Sequence, residues 1–210
     1  MSSMRVKICG ITSVDDAIAV AHAGADALGL VFYAASPRAV SLDVARKISL
    51  AAGPFMSVTG LFVNADPEFV HSVLNQVPLQ LLQFHGDEAE AYCESFKRPY
   101  MKAIRMRPGL EVSSAIAAYP SASGILLDAY RPGVSGGTGD TFDWARVPQG
   151  LSTPLVLAGG LTPTNVREAI AATRVYGVDV SGGVESAPGK KDHSKLTAFI
   201  NNARRCMASA

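Results

Sequence analysis

No apolar run in this chain is long enough to cross a bilayer; the best stretch, near residues 23–35, is broken by Asp26. The first residues carry Arg5 and Lys7 but no uninterrupted apolar segment after them, so no secretory leader is expected. Cysteine is scarce. Cys9, Cys93 and Cys206 are odd in number and form no C-x-x-C pair, which argues for a reducing, cytoplasmic compartment. Charge is scarce too: 18% of residues, a net charge of +1 and no long basic run. Nucleic acid and membrane partners are therefore not expected, and any pull on an anionic ligand must be local. No linker, repeat or low-complexity tract appears, so residues 1–210 read as one domain with room for a sizeable core.

What the chain does have is apolar residues, 48% of the total, arranged in short runs that alternate with helical patterns. Strands are expected near 4–9, 26–32, 56–63, 79–84, 100–105, 123–128, 153–157 and 175–180. Helices are expected near 13–23, 41–52, 67–76, 87–97, 110–118, 143–147, 163–172 and 192–205. Capping residues support the starts: Ser13 before Asp15 and Asp16, Asp66-Pro67 before Glu68, and Thr162-Pro163 before Asn165. Eight strands each followed by a helix spell an α/β fold, a parallel eight-stranded (β/α)8 TIM barrel with lean loops. A doubly wound sheet is the rival, but it usually needs fewer strands. Two connections are longer, 33–41 and 129–142. The second holds five glycines or prolines within residues 131–139 and is expected as a lid.

Strand alternation then sorts the polar residues. With Val6 and Ile8 facing the helices, Lys7 and Cys9 face the barrel interior. By the same rule Gln83 and His85, Asp128, and Asp179 point inward near the C-terminal ends of the fourth, sixth and eighth strands. A purely structural barrel would fill such sites with aliphatic residues. Plainer readings stand beside the functional one. Cys9 could be a small buried hydrophobe, Asp128 a loop cap, His85 a loop organiser, and Lys7 with Asp179 a buried ion pair. The seventh and eighth strands end in Gly159-Gly160 and Ser181-Gly182-Gly183, whose backbone N–H groups can form an anion nest. Adjacent loops at this place hold phosphate in many barrels. Together the strand ends point to acid–base chemistry on a small phosphorylated molecule.

The motifs VKICGIT (6–12), SPR (36–38), QFHGDE (83–88), LLDA (126–129), GGTG (136–139), FDW (142–144), LAGGL (157–161) and GVDVSGGVE (177–185) span nearly the whole chain. In them the chain resembles the phosphoribosylanthranilate isomerases of tryptophan biosynthesis. That resemblance implies an Amadori rearrangement of N-(5'-phosphoribosyl)anthranilate, with Asp128 as general acid, Cys9 as general base and Arg38 holding the anthranilate carboxylate. It implies no cofactor and no metal, and a monomer or weak homodimer is expected. Lys7, His85 and Asp179 would touch the substrate, and Lys7 would help ionise Cys9. The family usually has two serines where this chain has Ser181 and then Gly182, which removes a hydroxyl and keeps the backbone donors. The nearest rival among enzymes is a histidine-pathway isomerase, which would want a second phosphate site; from another class, the alternative is a non-catalytic barrel that binds phosphorylated ligands. A metal-dependent epimerase would need more ligands than His85 supplies.

Overall fold

The computed structural model describes residues 4–129 and 142–205. The expected lid, apart from its end residues Ala129 and Phe142, and Cys206 lie outside the described residues. Eight strands alternate with helices: β1 (Arg5–Cys9), α1 (Val14–His22), β2 (Ala27–Val31), α2 (Leu42–Ala51), β3 (Ser57–Phe62), α3 (Pro67–Gln76), β4 (Leu81–Phe84), α4 (Glu90–Ser95), β5 (Tyr100–Arg105), α5 (Val112–Ala117) and β6 (Gly124–Asp128). A single 3-10 turn (Trp144–Arg146) stands before β7 (Leu155–Leu157), and α6 (Val166–Thr173) leads to β8 (Gly177–Val180). A short hairpin, β9 (Glu185–Ala187) and β10 (Lys190–Lys191), precedes the last helix, α7 (His193–Arg205).

The eight strands pair in parallel in chain order, and β8 returns to β1, so the barrel is closed. At the seam Val6 stands opposite Val178 and Lys7 opposite Asp179. The (β/α)8 barrel expected from the sequence is thus the fold. Three expected elements differ. The helix expected over 87–97 spans only Glu90–Ser95, because Glu88 is turned back onto the Gly86 N–H. The helix expected over 143–147 is a 3-10 turn, capped by Asp143, which accepts from the Ala145 N–H. The helix expected from 163 starts at Val166, because Thr162 and Asn165 are tied to each other in a turn: Asn165 Oδ1 accepts from the Thr162 N–H at 2.8 Å. The other two caps act as expected, Ser13 on Asp16 and Asp66 on Glu68.

Alternation settles which side each strand residue takes. Val6, Ile8, Leu82, Phe84, Ile125, Leu127, Val178 and Val180 join the layer between barrel and helices, where they meet Val20, Ile48, Val73, Ile170 and Phe199. Rings reinforce that layer: Phe84 stacks on Phe96 at 5.6 Å and meets Phe62 at 6.2 Å. Because Leu82 and Phe84 are locked outward, Gln83 and His85 must point in. Cys93 also lies in this outer layer, and burial pushes its thiol up to about 12.

One buried ion pair organises the loops after β3 and β4. Lys102 Nζ donates to Glu88 Oε2 at 3.0 Å and to the Gly86 carbonyl at 2.6 Å. Glu88 in turn accepts from the backbone N–H of Gly86 at 2.9 Å and of Asn64 at 2.7 Å. The GDE sequence after His85 therefore folds back as a clamp that fixes where His85 stands. Lys102→Met leaves Glu88 buried without its cation. The expected cost is about 3–5 kcal/mol, seen in a thermal melt as a fall of roughly 10 °C. A melting temperature within about 2 °C of wild type would show that the clamp carries no stability.

Candidate active site

The C-terminal ends of the strands enclose one pocket. Its lining includes Cys9, Arg38, Gln83, His85, Asp128, Gly159, Gly160, Asp179, Ser181, Gly182 and Gly183. All but one of the site residues expected from the sequence meet here. The exception is Lys7, which lies one pleat lower on β1, beneath Cys9.

Lys7 is engaged from below the pocket. Its Nζ donates to Asp179 Oδ1 at 3.0 Å, with both side chains buried. Burial works against the Lys7 charge, but Asp179 outweighs it and holds the ammonium above its ordinary pKa. A methyl group on Gly29 would meet both Cys9 Sγ and Lys7 Nζ, so this glycine is what lets the two approach. Lys7 favours the Cys9 thiolate but does not decide its ionisation alone. Burial pushes the Cys9 thiol up, and the pull of Lys7 only partly offsets it because Asp179 already takes that charge.

Across the pocket, β4 and β6 build a short chain of polar groups. His85 Nε2 lies 3.1 Å from Asp128 Oδ2, and Gln83 Nε2 lies 3.0 Å from His85 Nδ1. When the amide nitrogen donates to Nδ1, the ring proton sits on Nε2 and points at an Asp128 carboxylate. With the amide turned over, Nδ1 carries the proton and Nε2 accepts one from a protonated Asp128. Asp128 can give up a proton in the first arrangement when it is carried on Oδ1, with Oδ2 accepting from Nε2; in the second its proton is committed to His85. His85 is therefore more than a loop organiser, since its ring bonds directly to the Asp128 carboxyl inside the pocket.

The glycine turns stand side by side. Gly159 and Gly160 both have positive φ, 80° and 64°. Asn165 Nδ2 donates to the Gly160 carbonyl at 2.9 Å, which fixes the turn after β7. After β8 comes a 3-10 turn, Gly182–Val184, the short extra helix that phosphate-holding barrels place here. Ser181 Oγ is buried and makes no hydrogen bond within the described residues. A Cβ at Gly183 would run into the Leu161 carbonyl oxygen, and one at Gly159 into the backbone of Ala129. Both positions exclude any side chain.

Arg38, from the connection after β2, lines the pocket. Its Nε and Nη2 donate side-on to Glu185 at 2.8 and 2.7 Å. Glu185 and its second partner Lys191 were not singled out from the sequence. Glu185 ends the GVDVSGGVE motif, so a signal was there; Lys191 lies beyond it and nothing local marks it.

Comparison with known proteins fits this geometry. A family model described as N-(5'phosphoribosyl)anthranilate (PRA) isomerase matches residues 6–202. The chain belongs to that family. The N-(5'-phosphoribosyl)anthranilate isomerase of Cellvibrio japonicus (strain Ueda107) is 71% identical over 208 residues, covering 99% of this chain and 97% of the relative. The crystal structure of phosphoribosyl anthranilate isomerase from Thermotoga maritima superposes with a TM-score of 0.85 at 41% identity, covering 96% of this chain and 99% of that one. A further structure of the isomerase family, in complex with reduced 1-(o-carboxyphenylamino)-1-deoxyribulose 5-phosphate, gives a TM-score of 0.82 at 39% identity, with 96% and 99% covered. At these identities the match reaches beyond the barrel, a fold many unrelated functions share, to the isomerase family itself.

Gly183→Ala tests the tight packing behind the β8 turn. The strain should cost about 1–3 kcal/mol of unfolding free energy in a urea titration. An unchanged midpoint would mean that the turn has slack that the packing against Leu161 does not suggest.

Proposed function

We propose that the chain isomerises N-(5'-phosphoribosyl)anthranilate by general acid–base catalysis, as one catalytic domain of tryptophan biosynthesis. One observation carries the reading: Cys9 and Asp128 line a single pocket together with Arg38 and the paired glycine turns, two kinds of group that suit two different anions. The substrate has two such anions, a carboxylate on the anthranilate ring and a phosphate on the ribose. Backbone N–H groups at Gly160, Gly182 and Gly183 and the Ser181 hydroxyl would take the phosphate. The planar fork of Arg38 suits the carboxylate. The free thiols of Cys9 and Cys93 fit a reducing cytoplasm.

Between those anchors the chemistry is proton transfer. Asp128 gives its proton to the ribose ring oxygen as the C1'–O bond breaks, and the nitrogen lone pair forms the C1'=N iminium. Cys9, as thiolate, then takes the proton from C2', which the iminium has made acidic. The C2'–H electrons form the C1'–C2' double bond, and the iminium pair returns to nitrogen. The resulting enolamine tautomerises to the aminodeoxyribulose phosphate. No redox change occurs. His85 and Gln83 hold the Asp128 carboxyl, and the Lys7–Asp179 pair sets the field around Cys9.

The reading is tested by generating the substrate in place from anthranilate and phosphoribosyl pyrophosphate and following its fluorescence at neutral pH. Protein-dependent loss of signal is expected; binding without loss would leave only a binding barrel. Cys9→Ala and Asp128→Asn should each lower kcat by about 10²–10⁴, with melting temperatures near wild type. Near-full turnover in both would sink the assignment of roles.

The pH dependence follows from the thiol. A base whose pKa lies above the ordinary thiol value of about 8.5 is mostly protonated at neutrality and gains its active form as pH rises. kcat/KM should therefore climb from pH 7 through that range. A plateau already reached below about pH 7.5 would mean that Cys9 is ionised far more easily than its burial allows.

A further inference from the structure

Behind Arg38 lies a buried three-membered charge network outside the pocket wall. Glu185 Oε1 accepts from Arg38 Nε and from Lys191 Nζ, each at 2.8 Å, while Oε2 accepts from Arg38 Nη2 at 2.7 Å. Lys191 Nζ has a second acceptor, the Ser181 carbonyl, at 3.2 Å. The Lys191 side chain is fully buried, and those of Glu185 and Arg38 are 5% and 14% exposed. Burying this lysine lowers its pKa, an effect Glu185 offsets only in part, so it is kept against a standing cost. Neither Glu185 nor Lys191 lines the pocket, but each grips a residue that does.

Two features of the geometry matter. First, the side-on grip by Glu185 uses Nε and one proton of Nη2. It leaves the other edge of the guanidinium, Nη1 with the second Nη2 proton, to a second carboxylate. Second, two cations share one carboxylate, so the network keeps one net positive charge. A lone Arg38–Glu185 pair would be neutral, and Glu185 would offset part of the attraction that Arg38 exerts on an arriving carboxylate.

We propose that Lys191 and Glu185 are positioning residues that make the site selective for a carboxylate-bearing aglycone: Glu185 aims Arg38, and Lys191 leaves Arg38 its charge. Lys191 also links the two anion-holding groups of the site. Through the Ser181 carbonyl it holds the turn that offers N–H groups to phosphate, and through Glu185 it holds the group that offers a fork to carboxylate. One buried ammonium thereby fixes the span between the two anion sites. This inference rests on the assignment of Arg38 to the anthranilate carboxylate.

The test compares two substrates, phosphoribosylanthranilate and phosphoribosylaniline, the same compound without its carboxylate. Wild type should prefer the first in kcat/KM by about 100-fold, the scale of a charge-assisted hydrogen-bonded pair. Lys191→Met and Glu185→Gln should each cut that preference by about tenfold, mainly by lowering kcat/KM on the anthranilate compound. A residue that merely supports the fold would lower both substrates together and leave the ratio unchanged, and that result would overturn the proposal. Wild type without any preference would instead overturn the role of Arg38, and the proposal with it. Should Lys191→Met fail to melt cooperatively, Glu185→Gln, which keeps the side-chain volume, decides the question alone.

Discussion

A parallel sheet left open ends in two strands with unpaired N–H and C=O groups, and this chain removes both by pairing β1 with β8. That closure is the constraint on which the site depends. It brings residues far apart in sequence into register, Lys7 opposite Asp179 and Ile8 opposite Val180. The carboxylate and ammonium at the seam then lie 3.0 Å apart with little water around them. Cys9 stands directly above the pair, and the Ser181 turn leaves the barrel directly after it. If the seam slipped by one residue, alternation would send Asp179 outward into the apolar layer. The Lys7–Asp179 contact beneath Cys9 and the position of the Ser181 turn would be lost together.

Burial of charge recurs through the upper half of the molecule. Lys7 with Asp179, Lys102 with Glu88, and Lys191 with Glu185 and Arg38 are each buried and each touch a loop or residue of the site. Buried pairs are weak contributors to net stability but costly to break one member at a time. They suit a place where position matters more than stability. Apolar contacts of similar volume would tolerate sliding, whereas a pair at 2.7–3.0 Å with several hydrogen bonds does not. The pocket is thus built on rigid charge networks, while the layer between barrel and helices is left to apolar packing.

The barrel and most of the candidate site are legible in the sequence for a simple reason. In a parallel sheet the period of two and the apolar runs leave little freedom, so alternation alone assigns Cys9, His85, Asp128 and Asp179 to the inner face. The glycine turns are legible because positive φ and close backbone approach leave no other residue. What the chain pattern misses is local and electrostatic. Residues 143–147 look helical but are too few to continue past one turn, and Asn165, an ordinary capping residue, is diverted to hold the Gly160 carbonyl. The raised pKa of the Cys9 thiol is not legible because its largest cause, burial, depends on how deeply the fold seats the sulfur.

The sequence by itself determined the architecture, the inward set of polar residues and the family, since each rests on periodicity or on motifs read along the chain. Tertiary structure alone decided which charges meet. Glu185 against Arg38, Asp128 against His85, and Glu88 against Lys102 are pairings between different strands or loops, and no spacing in the chain foretells them. Charge acts through space at a few ångströms and through a dielectric that burial sets, so its consequences appear only once the fold has fixed both distance and depth.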